Sequence, residues 1–441
     1  MINKLFGHTF VCGNELYYYD ANKNTIIKIS QSLFEEIHNI NKNNASTHSK
    51  EYCALHKKGY FRHSPIRKIE LGSINELRSR CERNIVHLIL QTTQQCNFKC
   101  RYCTFAGNGA FERTHTNKAM TFETAKHAID FLFEHSADSK EVLISFYGGE
   151  PLLEFELIKN CILYSEKLFF VKKCIYSIAT NASLLKHDMI DFFVSHNVQL
   201  DISLDGPEDV QDFSRRYAAN GNGTFRNVYE KVAYILKEYP DYYGRYVYYH
   251  PVINPNSDTH RILKFFNNEL CVNDMHVMLS NINTSGLNII FDENRNSHEN
   301  DYSFQEAKSK FVDFFDVYMD KRPIPYIYHH GGPCSPGSKK LFVSTDGIFY
   351  PCEKVNEQYS TNVIGNIHDG FDYNKIYKLY NLGMLTESKC KSCWCIRYCK
   401  MCIADIQGSS VEQMIKNKML ACEHQQEYVL SMFKKSIGTV K

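Results

Sequence analysis

The placement of cysteine constrains this chain more than any other feature of its sequence. Of its 17 cysteines, three fall within residues 96–103 and eight within residues 334–422, while the other six are scattered singly. A dense disulfide framework is typical of small secreted domains, whereas this chain has 441 residues. The two clusters therefore predict bound metal, and the scattered cysteines are expected to be small buried hydrophobic residues.

Length and charge narrow the class of protein further. With 441 residues, 43% of them hydrophobic, the chain is expected to form two or three domains with their own cores. Its formal net charge is +2, from 51 basic and 49 acidic residues, so no strong field attracts nucleic acid or an anionic membrane. It also lacks an apolar stretch of about 18 residues. These features predict a cytoplasmic protein with neither a nucleic-acid nor a membrane partner.

Hydrophobic periodicity predicts an α/β fold between two smaller regions. Residues 1–75 combine three short β-rich runs, at 9–12, 15–19 and 25–29, with helical stretches at 32–40 and 50–58. Beyond residue 85, strands alternate with amphipathic helices such as the one expected at 122–134, and six βα units suggest a partial barrel. Its strands are expected at 86–91, 142–147, 175–179, 200–204, 246–253 and 276–279. A helix at 303–320 then precedes a cysteine-dense region with little periodicity, typical of a domain folded around metal.

The first cysteine cluster follows the first strand of the βα series. Cys96, Cys100 and Cys103 form a CxxxCxxC loop, and three thiolates can hold three irons of a four-iron cluster while the fourth iron stays open. A zinc site is the alternative for this spacing taken alone. An open iron would be a place for chemistry.

In their context these residues resemble the radical SAM superfamily. The loop carries an aromatic residue, Tyr102, before its last cysteine, and the second strand ends in the sequence FYGGEP at residues 146–151. The resemblance implies that the open iron binds S-adenosylmethionine and that Gly148, Gly149 and Glu150 contact the methionine amine. It also implies a ribose and carboxylate pocket on later strands; its residues are Thr180, Asn181, Ser203, Asp205 and Arg215. The alternatives are a helix cap for Thr180 or Asn181, a surface ion pair for Arg215, and Arg216 in its place.

The second cysteine cluster resembles the SPASM extension of radical SAM enzymes. The pattern runs from Cys334 through Gly347 and Cys352 to the CxxCxCxxxCxxC run of residues 390–402, and ends at Cys422. It departs from the family pattern where two residues instead of three precede Cys402. The resemblance implies two auxiliary four-iron clusters, one held by Cys334, Cys352 and Cys402 and the other by Cys390, Cys393, Cys399 and Cys422. The first set is one ligand short, so either that iron is open to substrate or Cys395 completes the set.

The resemblance also implies an architecture of three domains. Residues 1–75 would form a winged-helix-like module that recognises a leader peptide, residues 76–325 a partial (β/α)6 TIM-like barrel, and residues 326–441 the SPASM domain. The implied cofactors are S-adenosylmethionine and three 4Fe-4S clusters, one for the radical chemistry and two auxiliary. An external electron donor of the flavodoxin or ferredoxin type is the expected redox partner.

The implied activity is oxidative modification of a ribosomally synthesised precursor peptide that carries a leader. Thioether crosslinks from cysteine are the preferred product, with Cys96, Cys100, Cys103 and Glu353 as the catalytic residues. Carbon–carbon crosslinking and formylglycine formation by an anaerobic sulfatase maturase are the enzyme alternatives. Sulfatase maturases typically carry Asp where this chain has Glu353. The alternative without catalysis is a zinc-stabilised binding scaffold, which a metal assay separates from the enzymes.

Overall fold

The structure is a computed structural model that describes residues 4–42, 48–103, 105, 115–253, 257–281, 322–331 and 334–439. The helix expected at 303–320 lies outside these residues. In chain order the strands are β1 (Gly7–Cys12), β2 (Glu15–Asp20), β3 (Thr25–Lys28), β4 (Lys68–Ile69), β5 (His87–Thr93), β6 (Glu141–Gly148), β7 (Lys173–Thr180), β8 (Gln199–Ile202), β9 (Val247–Tyr249), β10 (Val252–Ile253), β11 (Ser280–Asn281), β12 (Ile327–Tyr328), β13 (Lys340–Val343), β14 (Ile348–Tyr350), β15 (Gly365–Asn366) and β16 (Gly370–Phe371).

The α-helices are α1 (Gln31–Asn41), α2 (Lys50–Lys57), α3 (Ile74–Arg83), α4 (Phe122–Glu134), α5 (Phe155–Leu168), α6 (His187–Ser195), α7 (Glu208–Ser214), α8 (Phe225–Glu238), α9 (Pro240–Tyr246), α10 (Thr259–Glu269), α11 (Tyr373–Tyr380), α12 (Glu387–Cys390), α13 (Ile403–Ile406) and α14 (Val411–Thr439). The helix expected at 122–134 is confirmed at both ends. Among the described helices, none combines the length and apolar character needed to cross a bilayer.

The first compact unit contains residues 1–73, 306–334 and 377–441. It begins with an antiparallel sheet in the order β1-β2-β3, and α1 and α2 follow it. The side chains of Ser30 and Ser49 cap these helices, because they accept the N–H groups of Leu33 and Tyr52 that have no partner inside the helix. The strands and helices expected in this region are confirmed, with small differences at their ends.

A second core within this unit joins the N-terminal sheet to the cysteine-rich segment. Phe10 and Tyr19 of the sheet pack with Trp394 and with Phe433 of α14. The His8 ring stacks on Trp394 with ring centroids 4.5 Å apart and an angle of 12°. Burial of these large aromatic surfaces makes the first strands and the cysteine-rich segment part of one hydrophobic core.

The second compact unit contains residues 74–305 and 335–376 and is built on a nine-stranded sheet. Strands β5 to β9 are parallel neighbours, and β13 lies parallel to β5 on its other side. The antiparallel strands β14, β15 and β16 extend the sheet beyond β13. The fold is therefore a mixed α/β arrangement in which parallel pairing dominates.

The two faces of this sheet differ in burial. Val142, Ile144 and Phe146 of β6 are buried, whereas Leu143, Ser145 and Tyr147, which point to the opposite face, are half-buried. This alternation follows from the two-residue period of a strand. One face therefore packs in the core and the other remains accessible to a ligand.

The structure corrects two of the expected strands. The strand expected at 246–253 is interrupted between β9 and β10, because Pro251 has no N–H to donate to a neighbouring strand. The strand expected at 276–279 is reduced to a single bridge: a 3₁₀ turn occupies Asp274–His276, Val277 then pairs in parallel with Tyr249 of β9, and β11 begins at Ser280. Asn273 favours that turn, since its side chain accepts the Met275 N–H at 3.0 Å and its carbonyl accepts the His276 N–H at 3.0 Å.

Strands β10 and β11 form a separate two-stranded parallel sheet, so five of the six expected βα strands lie side by side in the large sheet. The compact units also group the chain differently from three consecutive domains. Residues 335–376 add strands to the large sheet, and residues 1–73 share a unit with residues 377–441. Residues 335–376 belong with the large sheet because β13 pairs with β5.

Candidate functional site

The candidate cofactor residues follow four neighbouring parallel strands. Cys96 lies just beyond the end of β5, Glu150 just beyond β6, Asn181 directly after β7, and Ser203 directly after β8. The N–H of Ser203 donates to the carbonyl of Thr180 at 2.8 Å, which ties the ends of β7 and β8 together. Because the carboxyl ends of parallel strands meet at one edge of a sheet, this edge is where ligands of such folds bind.

Backbone hydrogen bonds hold the cysteine loop, residues 96–103, against the segment after α7. The Lys99 N–H donates to the Arg216 carbonyl at 2.8 Å, and the Arg101 N–H donates to the Ser214 carbonyl at 3.0 Å. The loop is therefore braced by residues more than a hundred positions away in sequence. Motif spacing alone does not indicate this support.

The thiols of this loop fit an iron–sulfur cluster. The Phe98 N–H donates to Cys96 Sγ at 3.3 Å, and the Phe105 N–H donates to Cys103 Sγ at 3.4 Å. Such bonds favour the thiolate forms that bind metal. Burial raises the pKa of Cys96 and of Cys100 to about 12, so a metal must displace a proton from each when it binds.

The two glycines after β6 allow the strand end to meet the cysteine loop. A Cβ at Gly148 would overlap the Thr93 carbonyl oxygen, and a Cβ at Gly149 would overlap the Gln95 carbonyl oxygen. Gly148 also has φ +146°, a conformation that favours glycine. The N–H groups of Gly149 and Glu150 donate to those carbonyls at 3.0 and 2.8 Å. The glycines therefore bring the Glu150 carboxylate to the base of the cysteine loop.

Glu150 is a buried carboxylate, 1% exposed, at the centre of this edge. Its Oε1 accepts the Thr180 hydroxyl at 2.6 Å and the Leu152 N–H at 3.1 Å, while Oε2 accepts the Asn181 N–H at 2.7 Å. Burial raises the pKa of Glu150 to about 7, although these bonds and the Arg215 charge oppose the shift. A ligand ammonium group would stabilise the ionised carboxylate, so the site suits the amine of an amino acid.

Glu150 should make the stability of the protein depend on pH. Its folded pKa of about 7 lies above the ordinary value of 4.5, so the folded state loses stability as pH rises from about 4.5 to about 7. Glu150→Gln removes this titration. We expect the variant to gain about 2 kcal/mol over the wild type between about pH 5 and about pH 8, as measured by chemical unfolding without ligand.

The control for this experiment is Glu156→Gln, which changes an exposed carboxylate close to Glu150 in sequence. Its stability should follow the wild type across the pH range. A constant difference between Glu150→Gln and the wild type at every pH would contradict the shifted titration of Glu150.

Sequence reasoning missed the asparagine inside the cysteine motif. Asn97 Oδ1 accepts the Asn181 side-chain amide at 2.9 Å, and the Asn97 amide donates to Ser183 Oγ at 2.9 Å. The Ser183 hydroxyl and N–H both donate back to Asn181 Oδ1. Ala182, between them, has φ +61°, a conformation that costs energy for a residue with a Cβ. This polar network connects the loop to β7, and the Asn next to Cys96 was its only sequence signal.

Arg215, not Arg216, faces the candidate cofactor residues. Arg215 Nη2 donates to Asp205 Oδ1 at 3.1 Å, and the Tyr102 hydroxyl donates to Asp205 Oδ2 at 2.5 Å. Burial on its own lowers the pKa of Arg215, but Asp205, Tyr102 and Cys100 together outweigh burial and raise that pKa. Arg216 instead donates to the Gly221 carbonyl at 2.9 Å. Arg215 is therefore a buried cation that shares its charge with Asp205 and lies against the Tyr102 ring.

Glu353 lies away from these strand ends, in the loop after β14. Its carboxylate pairs with Lys340 of β13 at 3.4 Å. Lys340 is paired in register with His87 of β5, whose Nε2 is 2.7 Å from Ser145 Oγ. Burial lowers the pKa of His87 to about 4, so this imidazole is neutral at pH 7. Glu353 therefore belongs to a polar group on the accessible face of the sheet.

The four thiols expected to hold the second auxiliary cluster lie close together in the first unit. The thiols of Cys399 and Cys422 interact electrostatically with those of Cys390 and Cys393. Cys395 belongs to the same neighbourhood, because its sulfur is 3.6 Å from that of Cys393 and its thiol lowers the pKa of Cys393. The structure thus places the extra cysteine beside the second set of thiols.

The other three auxiliary thiols are divided between the units. Cys334 and Cys402 belong to the first unit and Cys352 to the second, where it is buried just after β14. Within the described ranges, no three Cys, His, Asp or Glu side chains converge closely enough to bind a single metal ion. The assignment of irons to these thiols stays a prediction.

Comparisons with known proteins agree with the chemistry of the strand ends. Residues 90–265, which include the cysteine loop and Glu150, match the Radical SAM superfamily. By sequence, the chain is 23% identical over 368 residues to the radical SAM cyclopropyl synthase TigE of Paramaledivibacter caminithermalis, covering 77% of this chain and 72% of that protein. It is 24% identical over 343 residues to a cysteine-type anaerobic sulfatase-maturating enzyme of Clostridium novyi, covering 70% and 85%.

A solved structure shares the fold over most of the chain. The structure of Streptococcus suis SuiB bound to the precursor peptide SuiA matches with a TM-score of 0.51. The match covers 90% of this chain and 94% of the SuiB chain. Its sequence identity is 13%, so the likeness shows the fold alone.

Proposed function

The chain carries a radical SAM domain and is therefore an enzyme, and we propose that it oxidatively modifies a ribosomally synthesised precursor peptide by installing thioether crosslinks from cysteine. One observation carries this proposal: Glu150, a buried carboxylate beside one cysteine loop, occurs in the same chain as a second group of neighbouring thiols. The second group offers an acceptor for the electron that an overall oxidation must remove from the substrate.

The cysteine loop and the strand ends would hold the cofactors. Cys96, Cys100 and Cys103 would bind three irons of a four-iron cluster, and Glu150 would accept the methionine ammonium of S-adenosylmethionine. Gly148 and Gly149 position that carboxylate through the backbone bonds already described. When bound, the cofactors would supply a radical that removes a hydrogen atom from the peptide and a cluster that accepts the remaining electron.

The rest of the pocket would orient S-adenosylmethionine. Arg215 is the cation available to the methionine carboxylate, and its pairing with Asp205 prevents an isolated buried charge. Ser203 and Asp205 would bind the ribose hydroxyls, and the Arg215 guanidinium lies 5.3 Å from the centroid of the Tyr102 ring. Thr180 and Asn181 act on the ligand through Glu150, so we propose that they position the carboxylate.

Glu353 is proposed as the base that accepts the proton of the peptide thiol. Thioether formation joins carbon to sulfur and removes one hydrogen from each, so the thiol proton must be accepted by a base. Lys340 pairs with the Glu353 carboxylate at 3.4 Å, which fixes the position of that carboxylate. His87, which lies nearby, is neutral at pH 7 and therefore adds no second positive charge beside Glu353.

The auxiliary clusters and the leader-binding role complete the proposal. We assign Cys334, Cys352 and Cys402 to one auxiliary 4Fe-4S cluster and Cys390, Cys393, Cys399 and Cys422 to the other. Strands β1 and β3 are the outer strands of the N-terminal sheet, so either could pair with an added strand from a leader peptide. An electron donor of the flavodoxin or ferredoxin type and a cytoplasmic location, where thiols remain reduced, belong to the same proposal.

The second candidate function is anaerobic sulfatase maturation. It is favoured by the match to a sulfatase-maturating enzyme, 85% of whose length the chain covers. That reaction forms an aldehyde on one residue and leaves no crosslink. A carbon–carbon crosslink is the third product to test for, because the relative TigE is named as a cyclopropyl synthase.

The test uses anaerobically reconstituted enzyme, dithionite, S-adenosylmethionine and a synthetic cysteine-containing precursor encoded beside this gene. We expect the peptide to lose about 2 Da for each crosslink, the mass of two hydrogens. The modified cysteine should also resist alkylation by iodoacetamide. An aldehyde product on a sulfatase-type peptide would favour the second function, and loss of mass with a cysteine that still alkylates would favour a carbon–carbon bond.

The same assay tests Glu353. Glu353→Gln should keep cleaving S-adenosylmethionine but lower the rate of crosslinking by roughly 100-fold, a usual contribution of a catalytic base. Glu141→Gln is the matched control, because Glu141 also pairs with a lysine at 3.4 Å but on the exposed surface. Crosslinking at the wild-type rate in Glu353→Gln would remove Glu353 from the mechanism.

A further inference from the structure

A lysine is buried beside one of the auxiliary thiols. Lys418 lies on α14 and is 1% exposed. Its Nζ donates to Thr386 Oγ1 at 2.6 Å, to the Gly383 carbonyl at 3.5 Å and to Cys390 Sγ at 3.5 Å. Lysine side chains are almost never fully buried without a charged partner.

The hydrogen bonds of Lys418 show which neighbouring atoms accept from its ammonium group. An ammonium group can only donate, so Thr386 Oγ1 accepts from Lys418 and its own hydroxyl hydrogen is free to point elsewhere. Thr386 Oγ1 lies 3.4 Å from Cys390 Sγ. The sulfur therefore receives a hydrogen bond from Lys418 and also lies within hydrogen-bond distance of the Thr386 hydroxyl.

Charge balance leads to the same sulfur. The Lys418 ammonium donates to a hydroxyl, a backbone carbonyl and the Cys390 sulfur, and of these three partners only Cys390 can carry negative charge. His329 and His330 also face this lysine, and burial, with the Lys418 charge adding to it, lowers both of their pKa values. Neither imidazole supplies an anion. A buried ammonium without an anion is strongly unfavourable, and an iron–sulfur cluster bound through Cys390 would supply the negative charge beside Lys418.

We propose that Lys418 is the buried counter-charge of the iron–sulfur cluster that Cys390 holds and raises the reduction potential of that cluster. This inference rests on the proposed ligand role of Cys390. A cluster that gains an electron becomes more negative, and a nearby cation together with hydrogen bonds to the sulfur stabilises that reduced form. An acceptor of substrate electrons benefits from such a shift.

The test compares reduction potentials in a background where Cys96, Cys100 and Cys103 are alanine, so that only auxiliary clusters contribute to the spectra. The variants are Lys418→Met, Lys418→Gln and Lys418→Arg, each reconstituted anaerobically and titrated by electron paramagnetic resonance. Lys416→Met is the matched control, since Lys416 lies on the same helix and is exposed. We expect a more negative midpoint potential in the Met and Gln variants and the parent value in the Arg and Lys416 variants.

Each result decides the inference. An unchanged midpoint in Lys418→Met would overturn it, and an unchanged midpoint in Lys418→Gln would show that hydrogen bonding, not charge, is responsible. Where Lys418→Met fails to fold, the Gln and Arg pair still separates charge from packing. Cys390→Ala tests the premise: loss of about four irons supports the ligand role, whereas full iron content would overturn both that role and the inference. Stoichiometric zinc in place of iron would instead overturn the proposed function.

Discussion

Replacing Cys96, Cys100 and Cys103 together with alanine should abolish reductive cleavage of S-adenosylmethionine. The same variant should lose about four of about twelve irons, because three four-iron clusters are proposed and this loop would hold one of them. The loss of activity should be complete, since among the described residues no other thiol follows β5 at the ligand-binding edge. Iron analysis and detection of 5′-deoxyadenosine after dithionite reduction measure the two effects.

The control replaces three of the scattered cysteines, Cys12, Cys53 and Cys271, with alanine. It removes the same number of thiols from positions that are exposed or half-buried. Its iron content and cofactor cleavage should match the wild type. Retention of full cleavage in the Cys96, Cys100 and Cys103 variant would eliminate the loop as the site of radical formation.

Deleting residues 1–73 should cost the protein the cluster proposed for Cys390, Cys393, Cys399 and Cys422, as well as leader binding. The N-terminal strands form one hydrophobic core with the segment that contains those thiols, and buried Phe10 and Tyr19 pack there with Trp394. Removal of these side chains would expose Cys390 and Trp394 to water, and exposed clusters are readily lost. We expect about four fewer irons and a lower unfolding temperature for the truncated chain.

A milder variant, His8→Ala, keeps residues 1–73 and weakens only the contact between the N-terminal sheet and Trp394. Burial lowers the pKa of His8 to about 4, so at neutral pH an uncharged ring stacks on Trp394. His8→Ala should therefore lower the free energy of unfolding by about 1 kcal/mol, the usual contribution of an aromatic pair. His38→Ala, at an exposed position on α1, is the control and should have little effect. A truncated chain that keeps all its iron would show that the N-terminal sheet is dispensable for the cluster and serves the leader alone.

The sequence by itself determined the features that depend on local spacing. The CxxxCxxC loop and the GGEP turn identified the radical SAM family before any coordinates, because the chemistry of that cofactor requires those residue types within a few positions of each other. Period-two and helical patterns located β5 to β8 and α4 for the same local reason. The strand expected at 276–279 failed because Asn273 side-chain bonding favours a turn over an isolated apolar run.

Only the tertiary structure decided which distant residues meet. It selected Arg215 over Arg216, placed Cys395 beside Cys393, and joined Asn97 to Asn181 across more than eighty positions of sequence. Burial in particular cannot be read from spacing, yet burial gives Glu150 a pKa of about 7. The tertiary structure likewise buries the Lys418 ammonium beside the Cys390 sulfur. These properties arise from desolvation and long-range packing, which no local pattern encodes.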